Sequence, residues 1–293
     1  MKNKLSGFAV PYVVWMALVV VIPILIMAVY SVTTADFDLT GDNFTRMGDY
    51  VSVFTRSFNL AIIATLVCLL IGYPMAYLMA KEGPGFQRVA MALIMLPMWM
   101  NFLLRTYSWM SILENNGLLN QFFNRIGLID LVNTIGLALA ADPSQYVPIT
   151  HFQMIGTSGA VVLGMVYNYL PFMILPIYSV IVKLDNSLLE AARDLGSSNV
   201  TVFRRVILPL SLPGVLSGVT MVFVPSVSTF AISKMLGGGT DLMLGDLIEQ
   251  QFLGGAYNPQ LGAAIALVMM VIVVVCMAIM NRFGEGEEQA VML

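Results

Sequence analysis

Residues 188–210 read LLEAARDLGSSNVTVFRRVILPL and carry five charged side chains between two long apolar runs. The rest of the chain is very different, because 58% of its 293 residues are hydrophobic and only 11% are charged. Soluble globular domains carry about 25% charged residues. The composition therefore predicts an integral membrane protein in which this one charged segment lies outside the bilayer.

Six stretches of the chain are long and apolar enough to cross a membrane, which takes about 20 mostly apolar residues in a helix. The six runs are residues 8–31, 58–80, 89–113, 159–182, 212–233 and 261–280. They predict an all-α, polytopic fold with six transmembrane helices. We expect the first run to be a retained helix, because it is longer than the apolar part of a signal peptide and lacks a convincing cleavage site.

The distribution of lysine and arginine predicts the orientation, since these residues accumulate on the cytoplasmic side of membrane proteins. With the N-terminus inside, nine of the 14 basic residues fall on the inner side and five on the outer side. The inner set is Lys2, Lys4, Lys81, Arg88, Lys183, Arg193, Arg204, Arg205 and Arg282. Both termini and the charged segment, residues 184–210, are therefore predicted to be cytoplasmic.

Several classes of protein are disfavoured by the residues present. Cys68 and Cys276 fall within apolar runs, so we expect no disulfide framework. His151 is the only histidine, which argues against a histidine-based metal site. The sequence contains no GxxxxGK[ST] phosphate loop and no Ser/His/Asp or metalloprotease signature. We expect a non-catalytic protein with no metal, no cofactor of its own and no nucleic-acid partner.

The charged segment is predicted to contain two short helices joined by a turn. Ser187 and Glu190 have the spacing of a capping box for the first helix. Gly196 suits the left-handed position that ends such a helix. Asn199 is expected to cap the second helix, and Pro209 to end it before the next apolar run.

Two interpretations of this segment follow from its residues. One places it on the inner leaflet, with Arg204 and Arg205 against lipid phosphates. The other places it in the groove of a protein partner, for which Ala191 and Ala192 offer a surface that can be approached closely. The small residues favour the protein partner. Glu190 either caps its helix or contacts that partner directly.

The same segment resembles the EAA loop of the MetI-like permeases of ABC importers. The matching residues are Glu190, Ala191, Ala192, Gly196, Val206, Leu208 and Pro209. Val206 stands where the family has isoleucine and keeps the position aliphatic and β-branched. The resemblance implies that residues 184–210 are a cytoplasmic coupling segment that inserts into a groove of a partner ATPase.

Longer stretches resemble the first permease subunit of spermidine/putrescine importers. They are LLRTYSWMSILENNGLLN (103–120), KLDNSLLEAARDLG (183–196), FVPSVSTFAISKMLGGGTDLMLGDLIEQQFL (223–253) and LGAAIAL (261–267). The resemblance implies one transmembrane domain over residues 1–293, with its core at 58–283 and an N-terminal helix at 8–31. The outer stretch 130–158 looks longer than the usual family loop, and we expect it to be ordered.

The resemblance also implies a setting and a set of partners. The setting is a bacterial plasma membrane, in which the chain contacts lipid and crosses several times. The partners are a second permease subunit, an ABC ATPase dimer that binds ATP and Mg²⁺, an extracytoplasmic binding protein and a polyamine substrate. An amino acid, thiamine or ferric iron is a rival cargo. A secondary transporter or channel is a rival class, which the near absence of ionisable residues from the six runs disfavours.

The fifth apolar run contains a candidate translocation path. Pro225 removes a backbone hydrogen bond in mid-membrane, and Ser226, Ser228 and Thr229 follow it. Broken helices with nearby hydroxyls often line transport pathways. The alternative is a plain proline kink packed by its neighbours, with close helix approach at GVLSG (214–218).

Charged residues on the outer side lead to two further expectations. Arg105 lies 16 residues beyond Val89, about 24 Å along a helix, and is expected to snorkel or to anchor a loop near the outer headgroups. Acidic outer loops, the last of which contains Asp241, Asp246 and Glu249, fit a cationic substrate. The ordinary bias of outer loops against basic residues explains that acidity equally well.

Overall fold

The computed structural model describes residues 10–139, 143–239 and 242–291, and the regular elements in these residues are helical apart from one isolated bridge. In chain order the helices are Val10–Ser31 (α1), Asp42–Arg46 (α2), Val51–Lys81 (α3), Pro84–Trp99 (α4), Phe102–Leu113 (α5), Leu118–Arg125 (α6), Leu128–Leu139 (α7), Ser158–Ile181 (α8), Asn186–Asp194 (α9), Asn199–Ser228 (α10), Ala231–Leu236 (α11), Leu244–Leu253 (α12) and Pro259–Val291 (α13). Helices α1, α3, α8, α10 and α13 are long and apolar enough to span a membrane. The predicted all-α fold and five of the predicted runs are confirmed.

The third predicted run, residues 89–113, is not one straight helix. The chain turns by 91° between α4 and the helices that follow it. Met100 has an extended backbone with ψ 149°, and the Asn101 side chain accepts hydrogen bonds from the N–H groups of Leu103 and Leu104. A new helix therefore starts at its own N-cap and leaves in another direction. The chain has six spans if this bent pair is counted as one.

The fifth predicted run, 212–233, differs from the structure at both ends. Pro209 was expected to end a separate short helix, but α10 continues through it. A π-helical turn at Phe203–Ile207 precedes the proline, and the Leu208 N–H donates to the first carbonyl of that turn. The wider turn accommodates a residue that has no N–H and a bulky ring. At the other end, Thr229 is extended with ψ 137°, and α10 stops before it.

The outer stretch 130–158 is described at residues 130–139 and 143–158, and it includes most of α7. Two asparagines hold its second half in place through paired hydrogen bonds. Asn120 donates to the carbonyl of Phe152 at 3.0 Å and accepts from the N–H of the same residue at 2.9 Å. Asn133 does the same with Ile149, at 2.9 and 2.8 Å. Side-chain amides therefore replace the backbone pairing that this irregular stretch lacks.

The core lies where α3, α8 and α10 pack together. A Cβ atom added at Gly214 would lie 2.9 Å from the carbonyl oxygen of Pro176 in α8. One added at Gly218 would lie 3.1 Å from the carbonyl oxygen of Met173. Both distances are shorter than ordinary van der Waals contact, so α8 and α10 approach this closely because both positions lack a side chain. The close approach predicted at GVLSG (214–218) is confirmed.

Gly214→Ala should destabilise the helix bundle, because the new methyl group meets backbone atoms of α8 that cannot rotate away. We expect a loss of about 1–3 kcal/mol, the usual cost of overpacking. Thermal unfolding of the purified protein in detergent measures the effect. Gly85→Ala in α4 is the matched control, since a Cβ there meets nothing within 4 Å. Equal melting temperatures for the two variants would contradict the proposed close packing.

Candidate functional site

The first helix of the coupling segment, α9, begins directly after Asp185. The Asp185 carboxylate accepts a hydrogen bond from the Ser187 N–H at 2.9 Å and is the N-cap. The predicted capping box of Ser187 and Glu190 is therefore wrong, because Ser187 already lies inside the helix. The missed signal was in the sequence, since an aspartate two residues before Ser187 is an equally good or better cap. The pKa of Asp185 is lowered by these hydrogen bonds with Ser187.

This cap changes the role that Glu190 can have. Glu190 is the fifth residue of α9, two positions beyond the place where a capping carboxylate acts. Its side chain is exposed, and so is that of Ala191, while Ala192 is half-buried. Of the two roles left open by the sequence, capping is excluded. The carboxylate is displayed on the surface of the segment.

Gly196 ends α9 as the sequence predicted. Its backbone is left-handed with φ +79°, and its N–H donates to the carbonyl of Arg193 at 2.8 Å. The N–H of Ser197 donates to the carbonyl of Ala192 at 3.1 Å, which completes a Schellman motif. A Cβ added at Gly196 meets nothing within 4 Å, so the glycine is required for its backbone conformation and not for space.

The second helix of the segment starts at Asn199, and Ser198 caps it. The Ser198 hydroxyl accepts from the N–H of Thr201 at 3.3 Å, so the prediction that Asn199 is the cap is wrong by one residue. Val206 lies in the π-helical turn, and Leu208 and Pro209 follow it in α10. The residues of the EAA pattern therefore occupy two helices. The first helix is displayed, and the second runs on into the membrane.

A polar cavity of about 440 Å³ lies behind α9, at the ends of α3 and α8. Its lining includes Glu190 and Arg193 from α9, Lys81 at the end of α3, Glu82 in the connection, and Gln87 in α4. Gln87 closes one side by donating to the Glu82 carbonyl at 2.7 Å. The cavity separates this face of α9 from the helix bundle.

The four residues of the candidate path do not form one surface. Ser226 is fully buried, and its hydroxyl donates to the carbonyl of Val222 in its own helix at 2.7 Å. Ser228 is exposed, whereas Thr229 is buried at the point where α10 ends. The carbonyl of Pro225 lies 3.5 Å from the hydroxyl of Tyr169 in α8, which donates to it. The helix is therefore interrupted at Thr229, four residues after the predicted proline.

Arg105 lies inside the fold, and the expectation that it snorkels to the headgroups is wrong. Only 8% of its surface is exposed, and its guanidinium carbon is 5.9 Å from the ring centroid of Tyr167. The ring of Tyr167 also contacts Trp109 edge-on, with centroids 5.3 Å apart. The 91° turn before α5 is the reason, because it places Arg105 in the first turns of a new helix and not at the end of a long one.

Two acidic residues of the last outer loop have structural partners. Asp246 is buried, accepts from the N–H of Met243 at 3.0 Å, and has its pKa raised by burial. Glu249 forms an ion pair with Lys234 at 2.9 Å, and this hydrogen bond raises the pKa of Lys234. Asp241 lies outside the described residues. Asp246 is therefore not open to a passing cation, and Glu249 is paired with a lysine at the surface.

The bundle of membrane-spanning helices displays one capped, glycine-terminated helix, α9, and a short turn connects α9 to the long helix α10. Residues 70–286 match the family described as the inner membrane component of binding-protein-dependent transport systems, and the chain belongs to this family.

Individual proteins of known name and structure are similar to this chain along most of its length. The chain is 37% identical to the spermidine/putrescine transport system permease protein PotB of Escherichia coli K12, over 88% of this chain and 90% of that protein. It is 35% identical to PotB of Haemophilus influenzae, over 97% and 96% of the two chains. A chain of a bacterial ABC transporter that imports the acidic polysaccharide alginate has the same fold, with a TM-score of 0.73 at 15% identity over 97% and 96% of the two chains.

Asp185→Ala should loosen the first turn of α9, because it removes the acceptor of the Ser187 N–H. We expect amide hydrogen exchange there to become about fivefold faster, the usual effect of losing an N-cap, and Ser187→Ala to leave it unchanged. The folded pKa of Asp185 is lowered, so its protection is complete above the ordinary carboxyl pKa of about 3.9 and is lost as the pH falls through the lower folded value. Faster exchange in Ser187→Ala, with unchanged exchange in Asp185→Ala, would contradict the Asp185 cap and support the capping box of Ser187 and Glu190.

Proposed function

We propose that this chain is a membrane-spanning permease subunit of an ATP-driven importer that carries spermidine or putrescine. One observation carries the mechanism: an exposed helix, capped at both ends, is followed by a second helix that enters the membrane without interruption. The identity to PotB along most of the chain supports a polyamine as the cargo. The whole chain, residues 1–293, acts as one transmembrane domain.

In this proposal both termini and residues 184–210 face the cytoplasm. The excess of basic residues on that side, nine against five, supports the orientation. The outer side then carries the acidic first loop, in which Asp36, Asp38, Asp42 and Asp49 are exposed. Exposed carboxylates at the entrance raise the local concentration of a polycation.

The coupling segment is the contact with the ATPase. Ala191 and Ala192 let α9 enter a groove closely, and the Glu190 carboxylate is displayed to meet a donor of the partner. Hydrolysis of ATP, and the binding of ATP and Mg²⁺, belong to an ATPase dimer, and this chain is not catalytic and holds no cofactor. A second permease subunit and an extracytoplasmic binding protein complete the assembly.

The translocation path runs past the end of α10. Ser228 is exposed there and is available to face the second permease, and Thr229 marks the interruption of the helix. The Tyr169 hydroxyl, which bonds the Pro225 carbonyl, holds the interruption in place. Ser226 has a structural role, because it is fully buried and its hydroxyl bonds the Val222 carbonyl of its own helix. Hydroxyl and carbonyl dipoles at a broken helix offer a polyamine weak contacts and no tight site.

Gly196→Pro should abolish ATP-driven uptake while the chain still inserts into the membrane. Proline cannot adopt φ +79° and lacks the N–H that donates to the Arg193 carbonyl at 2.8 Å, so the end of α9 is lost. Uptake of radiolabelled substrate into reconstituted vesicles measures the effect. Gly196→Asn is the control and should retain most activity, because asparagine tolerates the left-handed region. Unchanged uptake in Gly196→Pro would exclude residues 184–210 as the coupling segment.

The cargo is tested by stimulation of ATP hydrolysis. The assembled transporter, with its binding protein, should hydrolyse ATP faster when the binding protein carries spermidine or putrescine. Stimulation by an amino acid, thiamine or ferric iron alone would overturn the polyamine assignment. Uptake that follows an ion gradient and needs no ATP would overturn the importer class itself.

A further inference from the structure

An aromatic side chain of the coupling segment is inserted between two aromatic side chains of α3. The Phe203 ring meets the ring of Tyr73 edge-on, with centroids 5.8 Å apart and an interplanar angle of 86°. It meets the ring of Tyr77 with centroids 5.3 Å apart and an angle of 71°. Edge-to-face contacts at these separations are favourable beyond the burial of area alone, and they fix the relative orientation of the rings.

The two tyrosines are themselves held firmly. They lie four residues apart on one face of α3, and the Lys81 ammonium, four residues further on, is 4.2 Å from the centroid of the Tyr77 ring. Tyr73 is buried, and its hydroxyl is 2.8 Å from that of Ser211 in α10. The Ser211 hydroxyl is also 3.0 Å from the Leu208 carbonyl of its own helix.

Phe203 lies at the point of the chain where the coupling segment meets the rest of α10. Phe203 is the first residue of the π-helical turn Phe203–Ile207, which separates the displayed part of the segment from the rest of α10. A π-helical turn is wider than an α-helical one, is rare, and is frequent at functional sites. If movement of α9 were transmitted through the backbone alone, it would have to cross this irregular turn. The Phe203 ring makes a second connection, because it contacts α3 directly from the start of the turn.

The bond between Tyr73 and Ser211 lies on the other side of the turn. It joins α3 to the regular part of α10 at 2.8 Å, so these two spans are connected beyond the irregular residues. The Phe203 ring therefore contacts a span, α3, that is bonded to α10 again beyond the π-helical turn. The three aromatic rings and this hydrogen bond form one connected unit, which we call the aromatic joint: Phe203, Tyr73, Tyr77 and Ser211.

We propose that the aromatic joint is the positioning element through which movement of the coupling segment reaches α3 and α10, with Phe203 as the residue that transmits it. The proposal rests on the function proposed above, since it assumes that an ATPase moves residues 184–210. Phe203 touches neither substrate nor nucleotide in this account. Its role is to couple the movement of the coupling segment to movement of α3 and α10.

The test compares ATP hydrolysis and polyamine uptake in the same vesicles, with the transporter assembled from all its subunits. Phe203→Leu and Tyr77→Leu keep these positions apolar but remove a ring. We expect hydrolysis close to that of the unaltered transporter and uptake per ATP lowered about fivefold or more. Tyr77→Phe keeps the ring and should couple normally. Phe86→Leu, at an exposed position of α4, is the matched control and should also couple normally.

The outcomes separate three cases. Unchanged uptake per ATP in Phe203→Leu overturns the joint, and so does a parallel fall of hydrolysis and uptake together with a lower melting temperature, because both results leave Phe203 a purely structural role. Failure of the ATPase to co-purify with the unaltered chain overturns the proposed function itself. A lowered ratio in the two leucine variants, with normal ratios in Tyr77→Phe and Phe86→Leu, supports the joint.

Discussion

A chain in the hydrocarbon core of a membrane has to satisfy its backbone N–H and C=O groups internally, and this constraint governs where the structure can depart from a helix. The Asn101 side chain caps the new helix at the 91° turn. The Tyr169 hydroxyl bonds the Pro225 carbonyl where α10 ends. The π-helical turn before Pro209 lies in the segment proposed to be cytoplasmic, where water is also available to the backbone. Each of the two departures inside the bundle has its own hydrogen-bonding solution, and one of them is the candidate path.

The backbone groups at the two ends of the exposed helix α9 also need hydrogen-bond partners. Asp185 satisfies its first turn, and Gly196 closes its last. A nine-residue helix is too short to be stable from its intrinsic propensity, so these caps, together with docking on a partner, determine whether it stays folded. A polar cavity lies behind α9. In the proposed function, this segment passes its displacement on to the spans.

The sequence predicts the broad outline of this protein because hydropathy and small-residue spacing report directly on membrane burial and close packing. The all-α fold, five of the spans, the role of Gly196 and the contact at GVLSG (214–218) follow from such patterns. The turn before α5 was missed, because an apolar run gives length and composition but no direction. Arg105 was misplaced for the same reason, since its burial depends on the turn.

Other errors have more local causes. Ser187 matched a capping box, but the helix already starts at Asn186, and Asp185 accepts from the Ser187 N–H as its cap. Pro209 usually ends a helix, and the π-helical turn that lets α10 continue has no sequence signature of its own. The contact between Phe203 and Tyr77 joins residues far apart in the chain, so no local pattern predicts it. Tertiary packing decides only this last contact.

The central claim is that α9 is the surface on which this chain meets an ATPase, and cross-linking tests it most directly. Leu195, at the end of α9, is 87% exposed, and Leu39, in the first outer loop, is 85% exposed. In a chain whose Cys68 and Cys276 are replaced by alanine, Leu195→Cys should cross-link to the ATPase in the assembled transporter and Leu39→Cys should not. Cross-linking from Leu39→Cys, with none from Leu195→Cys, would contradict both the coupling site and the orientation.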